Sequence, residues 1–217
     1  VRNPELLLTR IQDADSAPKL RAFALRMLPN QPRAAPKEGD VPVQTFPKGL
    51  TLKLLQELLS VDNLALSQEV IRTLAGNASL SQHILAEVAA DARQDASLRA
   101  DAVAGLAAVA DQNTDLLLKL ANDDQRSVRE EALRCLRFGQ HSPAQIDLLK
   151  SASIDHPASA DLIHAVLDPK SLDTNRPVRT DTPAWLAALE AIEVPADAET
   201  GRRIFHHARL AQCSNCH

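Results

Sequence analysis

Tyrosine is missing from the 217 residues, Trp occurs once, Phe four times and glycine only six times. Folds rich in sheet draw on aromatic and β-branched residues, so this shortage argues against a β architecture. No uninterrupted apolar run approaches the ~20 residues of a membrane helix, because Asp, Arg, Lys or Gln breaks every Leu/Ala stretch. No membrane span is expected. A net charge of −4 lacks the basic footprint of a nucleic-acid partner, so none is expected either. Neither a G-x-G-x-x-G nor a P-loop occurs, and the carboxylates scatter without a hydrolytic pattern. The chain by itself therefore shows no catalytic constellation, and any enzymatic activity would lie elsewhere in a longer protein. What is present is 45% hydrophobic and 24% charged residues, the balance of a folded globular chain. Ala and Leu dominate, which predicts an all-α protein. The length suits one main domain with an appendage.

Four segments superimpose without gaps: Leu20 to Leu28, Leu66 to Leu74, Leu98 to Leu106 and Val128 to Leu136. Each sets apolar residues at its first, fifth, sixth and ninth positions, one face of a helix. A weaker fifth copy starts at Ala158 and carries Leu162, Ile163 and Val166. The copies start 46, 32, 30 and 30 residues apart, and an apolar-periodic helix precedes each one: roughly 5–11, 50–59, 80–90, 115–121 and 144–152. The unit is a helical hairpin, and a hairpin this small must stack on its neighbours to bury both faces. The pattern S-[LV]-R-x-[DE]-A-[VL]-x-x-L at Ser97 to Leu106 and Ser127 to Leu136 resembles HEAT-like repeats. That resemblance implies a short HEAT-like α-solenoid over 1–167, with units shorter than the ~40 residues of typical HEAT repeats. Arg99 and Arg129, with Asp101 and Glu131 nearby, are expected to cap and tie adjacent hairpins. Cys135 reads as a small core residue.

The long first spacing comes from 29–49, which holds five prolines and two glycines and reads as an irregular insertion. Residues 168–200 read as a linker, with prolines at 169, 177 and 183. Within it a short amphipathic helix opens at Trp185, expected to dock on the last repeat with Trp185 as packing anchor.

The chemistry lies at the end of the chain. Cys213-Ser-Asn-Cys216-His217 is a Cys-x-x-Cys-His sequence, the attachment signature of c-type haem. The spacing fits the reaction: two thiols add across the two vinyl groups of one macrocycle, and the adjacent histidine becomes the proximal iron ligand. Composition alone would give about one chance match in a thousand. A redox dithiol formed by Cys213 and Cys216, or zinc held by them with His206, His207 or His217, remains an alternative. Residues 201–217 carry Arg202, Arg203 and Arg209 and no acid. These arginines read as a solvated helix face, or as partners for haem propionates or an acidic redox protein. His206 and His207 are expected at the surface near the haem edge. Asp197 or Thr200 can cap a helix beginning at Gly201 with Ile204 and Phe205 on one face.

Gly201-x-x-Ile204-Phe205 followed by Cys-x-x-Cys-His resembles the start of a class I cytochrome c domain. In combination with the repeats it resembles the haem-binding C-terminal modules of large planctomycete and verrucomicrobial proteins, which join a propeller-like dehydrogenase domain, HEAT-like repeats and a cytochrome c module. The resemblance implies haem c on Cys213 and Cys216 with His217 on iron, and 201–217 as the first part of a truncated cytochrome domain. Met27, the only methionine, is not a credible distal ligand. Beginning at Val1 and stopping at His217, the chain reads as a fragment of a longer protein. The expected function is electron transfer in a periplasmic or otherwise extracytoplasmic setting, with a redox protein or linked dehydrogenase domain as partner. The alternative is a protein-interaction scaffold whose solenoid surface binds a partner, without cofactor.

Overall fold

A computed structural model describes residues 4–28, 46–169, 177–178, 180–191 and 197–210. The described residues are helical and contain no strand, so the fold class is all-α as expected. In chain order the helices are α1 (Pro4–Gln12), α2 (Pro18–Met27), α3 (Leu52–Leu59), α4 (Leu64–Ala75), α5 (Ala78–Ala90), α6 (Ala96–Gly105), α7 (Thr114–Leu120), α8 (Arg126–Leu136), α9 (Pro143–Asp155), α10 (Ala160–Leu167), α11 (Thr182–Glu190) and α12 (Ala198–His206). Two 3-10 segments, Leu106–Gln112 and Pro157–Ser159, lead out of α6 and into α10. None of the described helices is long and apolar enough to cross a membrane.

Local chemistry sets most of the starts. Thr51, Asn63 and Asp95 accept backbone N–H bonds at the entries of α3, α4 and α6, and Ser142 forms a reciprocal capping box with Gln145 at α9. Pro18 and Pro143 open α2 and α9, where a missing N–H costs nothing. The remaining stabilisation comes from packing. Helices pair as α1/α2, α3/α4, α5/α6, α7/α8 and α9/α10, and the second members α2, α4, α6, α8 and α10 pack on one another in sequence. Their repeated face is the core: Leu66, Val70, Ile71 and Leu74, then Leu98, Ala102, Val103 and Leu106, then Val128, Ala132, Leu133 and Leu136, are all buried. At the start of the row Leu20 is 55% exposed, while in the fifth copy Ile163 and Val166 are buried.

The arginines at the second position of the repeat tie the hairpins. Arg21 donates to the Ile11 carbonyl and Arg99 to the Ala89 carbonyl, each the C-terminal end of the partner helix. Arg99 also reaches Asp123 in the next hairpin at 2.5 Å. Arg129 bonds the Asp123 carbonyl and, at 3.1 Å, Ser159 of the hairpin after it. These contacts meet the expectation for Arg99 and Arg129.

Most of the proline-rich insertion, 29–45, lies outside the described residues. Its end is a turn in which Gly49 has φ +90, a conformation that side chains rarely adopt. The Trp185 helix departs from expectation. No residue of α11 is buried, and Leu186 and Leu189 are more than half exposed. Asp181 caps it and Pro183 presets its first turn, so local chemistry sets its start while no described helix packs closely on it. Its amphipathic period gave it a face but not a neighbour.

The Arg99 ties should matter more than surface pairs. Arg99→Ala is expected to lower stability by about 2–3 kcal/mol in urea denaturation, through loss of charged hydrogen bonds and an orphaned carbonyl. Arg93→Ala, which removes an exposed pair with Asp91, should leave the midpoint unchanged.

Candidate functional site: the C-terminal arm on the helical array

Cys213, Cys216 and His217 lie outside the described residues, whose last member is Leu210. The site that can be built is the arm leading to them. Asp197 accepts the Glu199 N–H at 3.0 Å and the Thr200 hydroxyl at 2.5 Å, so α12 begins at Ala198, three residues before the Gly201 start read from the sequence.

Arginines 202 and 203 do not form a solvated face. Arg203 is 4% exposed; its Nε donates to Glu131 Oε1 at 2.8 Å and its Nη1 to Asp101 Oδ1 at 3.4 Å. Arg202 reaches the same Asp101 oxygen at 2.6 Å and Glu199 at 2.9 Å. Glu131, fully buried, also takes Arg134 at 2.7 Å. The arm thus crosses the array at α6 and α8 and supplies charge to two carboxylates withdrawn from water. Burial pushes the Glu131 carboxyl above its usual range, against the pull of Arg134 and Arg203. Among the described residues Asp101 Oδ2 and Glu131 Oε2 have no hydrogen-bond partner. Such a site tolerates little loss of positive charge. Asp101 and Glu131 therefore hold the C-terminal helix, whereas the expectation gave them to the ties between hairpins, which Arg99 and Arg129 make.

His207 is a second anchor, and its expected surface place is also corrected: it is 1% exposed. Its Nδ1 accepts the Arg209 N–H at 3.2 Å, its Nε2 lies 3.6 Å from Cys135 Sγ, and that sulfur is 3.3 Å from the Val103 carbonyl. One assignment satisfies every atom: a neutral imidazole donating from Nε2 to sulfur, and a thiol donating to the carbonyl. Burial, followed by Arg134 and Arg209, lowers the His207 pKa to about 4. Burial raises the Cys135 thiol well above its usual range, so Cys135 is the inert core residue expected. Arg209 pairs with Asp111 at 2.6 Å and reaches the Cys135 carbonyl at 3.5 Å. It lines a cleft of about 420 Å³ with Cys135, Phe138 and His141. His206 stays exposed, its ring edge-on to Phe205 at 5.1 Å between centroids.

Among the described residues no group of three or more His, Cys, Asp or Glu could hold a metal ion. What the sequence reading missed is the receptor for the arm. The signal was available: an acid recurs at the fourth position of three copies, as Glu69, Asp101 and Glu131, and all three are buried. No protein-family profile matches the chain, and no curated protein or solved structure is significantly similar to it.

Arg203→Gln is expected to cost about 2–4 kcal/mol in urea denaturation, on the low side for breaking a buried pair because Arg134 and Arg202 remain. His207 gives a pH dependence. Its folded pKa of about 4 lies below its unfolded value, so the unfolded chain binds more protons between them and stability falls as pH drops from about 6.5 to 4. Glu131, shifted upward, has the opposite slope. The difference between wild type and His207→Gln across that window isolates the histidine and should reach roughly 3 kcal/mol.

Proposed function

We propose that the chain is an electron-transfer protein in which a c-type haem is attached through Cys213 and Cys216, with His217 as proximal ligand, on a HEAT-like solenoid. The donor set carries the reading: two thiols two residues apart, followed at once by an imidazole, match one haem and its iron. The described residues near the arm do not compete for that role. His207 has both ring nitrogens engaged, and Cys135 is buried with its sulfur bonded.

The other support is placement. Leu210, bonded back to His207, lies three residues before Cys213. On α12 a methyl group at Gly201 would meet nothing within 4 Å, and Phe205 is 38% exposed. In the cytochrome c resemblance the small residue and the aromatic pack on the last helix of the domain, and Gly201 leaves room beside it. Haem would supply one-electron exchange at iron. The chain's own residues attach it, hold the preceding helix and orient it on the array. Covalent attachment of haem c occurs outside the cytoplasm, so the proposed location is periplasmic or otherwise extracytoplasmic. The proposed partner is a redox protein or a linked dehydrogenase domain.

Expression in a host competent for cytochrome c maturation tests this directly. The expected result is a c-type reduced visible spectrum and a haem-stained band on a denaturing gel, both lost in Cys213→Ala/Cys216→Ala. A colourless protein with a helical circular dichroism spectrum would overturn the haem reading in favour of an interaction scaffold.

A further inference from the structure

The seventh position of the repeat is Arg26, Arg72, Ala104 and Arg134 in the four copies. In α4, Glu69 is paired from both sides: Arg26 of the preceding copy donates to it from Nε at 2.9 Å, and Arg72 of its own helix pairs with the same oxygen. In α8 the pattern repeats on one side only. Arg134 of the same helix pairs with Glu131, but the preceding copy offers Ala104, which has no charge to give. Asp101 lacks its own-helix partner for the same reason. One alanine thus leaves two buried carboxylates, 5% and 0% exposed, each short of a cation.

Arg203 of α12 fills that place, with Arg202 beside it on the same Asp101 oxygen at 2.6 Å; only Arg203 reaches both acids. Its guanidinium bridges Glu131 and Asp101, the two acids that an arginine at position 104 would serve by the pattern at Glu69. We infer that Asp101, Ala104 and Glu131 form an arginine socket on the array, that Arg203 of the chain's own C-terminal helix is its occupant, and that this contact fixes the point from which the chain runs on to Cys213. With Asp101 Oδ2 and Glu131 Oε2 lacking a hydrogen-bond partner among the described residues, the receptor depends on this cation. A guanidinium suits it, because a planar fork can serve two carboxylates at once where an ammonium is a point charge. The inference is independent of what binds Cys213 to His217, and its test uses no haem.

Ala104 is partly exposed, so a longer side chain has a way out. In Ala104→Arg the new guanidinium should take the socket and release α12. Tryptic cleavage after Arg203 and Arg209 in the full chain is then expected to quicken at least tenfold, with the helical circular dichroism retained. Cleavage at the wild-type rate would overturn the inference. Combined with Arg203→Gln, Ala104→Arg should restore the thermal midpoint lost by Arg203→Gln while leaving the arm open to trypsin. A double variant no more stable than Arg203→Gln alone would also overturn it. Should Ala104→Arg fail to fold, the near-isosteric Asp101→Asn/Glu131→Gln decides. It removes the charge the socket recognises, so faster cleavage of the arm supports the inference and unchanged protection refutes it.

Discussion

A carboxylate withdrawn from water needs a cation close by, and the placement of α12 follows from that demand at Asp101 and Glu131. Both sit on helices whose other faces are committed to the core, and neither can turn out to solvent. Replacing such acids by apolar residues would be the simpler route to stability, since burying ion pairs is costly even with good geometry. What the charges add is directionality. An apolar patch would accept α12 in many registers, whereas two acids and one fork accept Arg203 in one. His207 and Arg209 extend the same contact by a further turn, so the arm is held at four points over eight residues, 202–209.

The array supplies the rigidity that this contact uses. Each hairpin packs on the next along the row of second helices, and Arg99 and Arg129 bind the third hairpin to the fourth and the fourth to the fifth through Asp123 and Ser159. Because the closest packing along the row is between neighbours, the row can keep a local irregularity such as Ala104 without losing its core. Asp101 and Glu131 are 30 positions apart in sequence but one repeat apart in space, which is why a single side chain can reach both.

The sequence makes the hairpins readable because helical periodicity is a local property, and each apolar position of the two central copies is buried. Cys135 was legible for the same reason. The arm was not. Its contacts join residues 72 to 102 apart, and neither the arginines nor His207 carries a local sign of what covers it. A basic helix beside a haem motif reads as solvated until the acid column on the repeats is aligned with it. The Trp185 helix failed in the opposite sense, since an amphipathic period promised a neighbour and Leu186 and Leu189 remain open to solvent. The terminal motif, Cys213 to His217, lies outside the described residues, and its proposed role rests on residue type and spacing alone.

Hydrogen exchange of the wild-type chain at neutral pH asks the central question most directly. If the arm is docked through Arg203 and His207, the Gly201 and His207 amides, bonded to Asp197 and Ile204, should be protected from exchange well beyond the free-chain rate, along with α6 and α8. Exchange at free-chain rates over 198–207, with α6 and α8 still protected, would contradict the account.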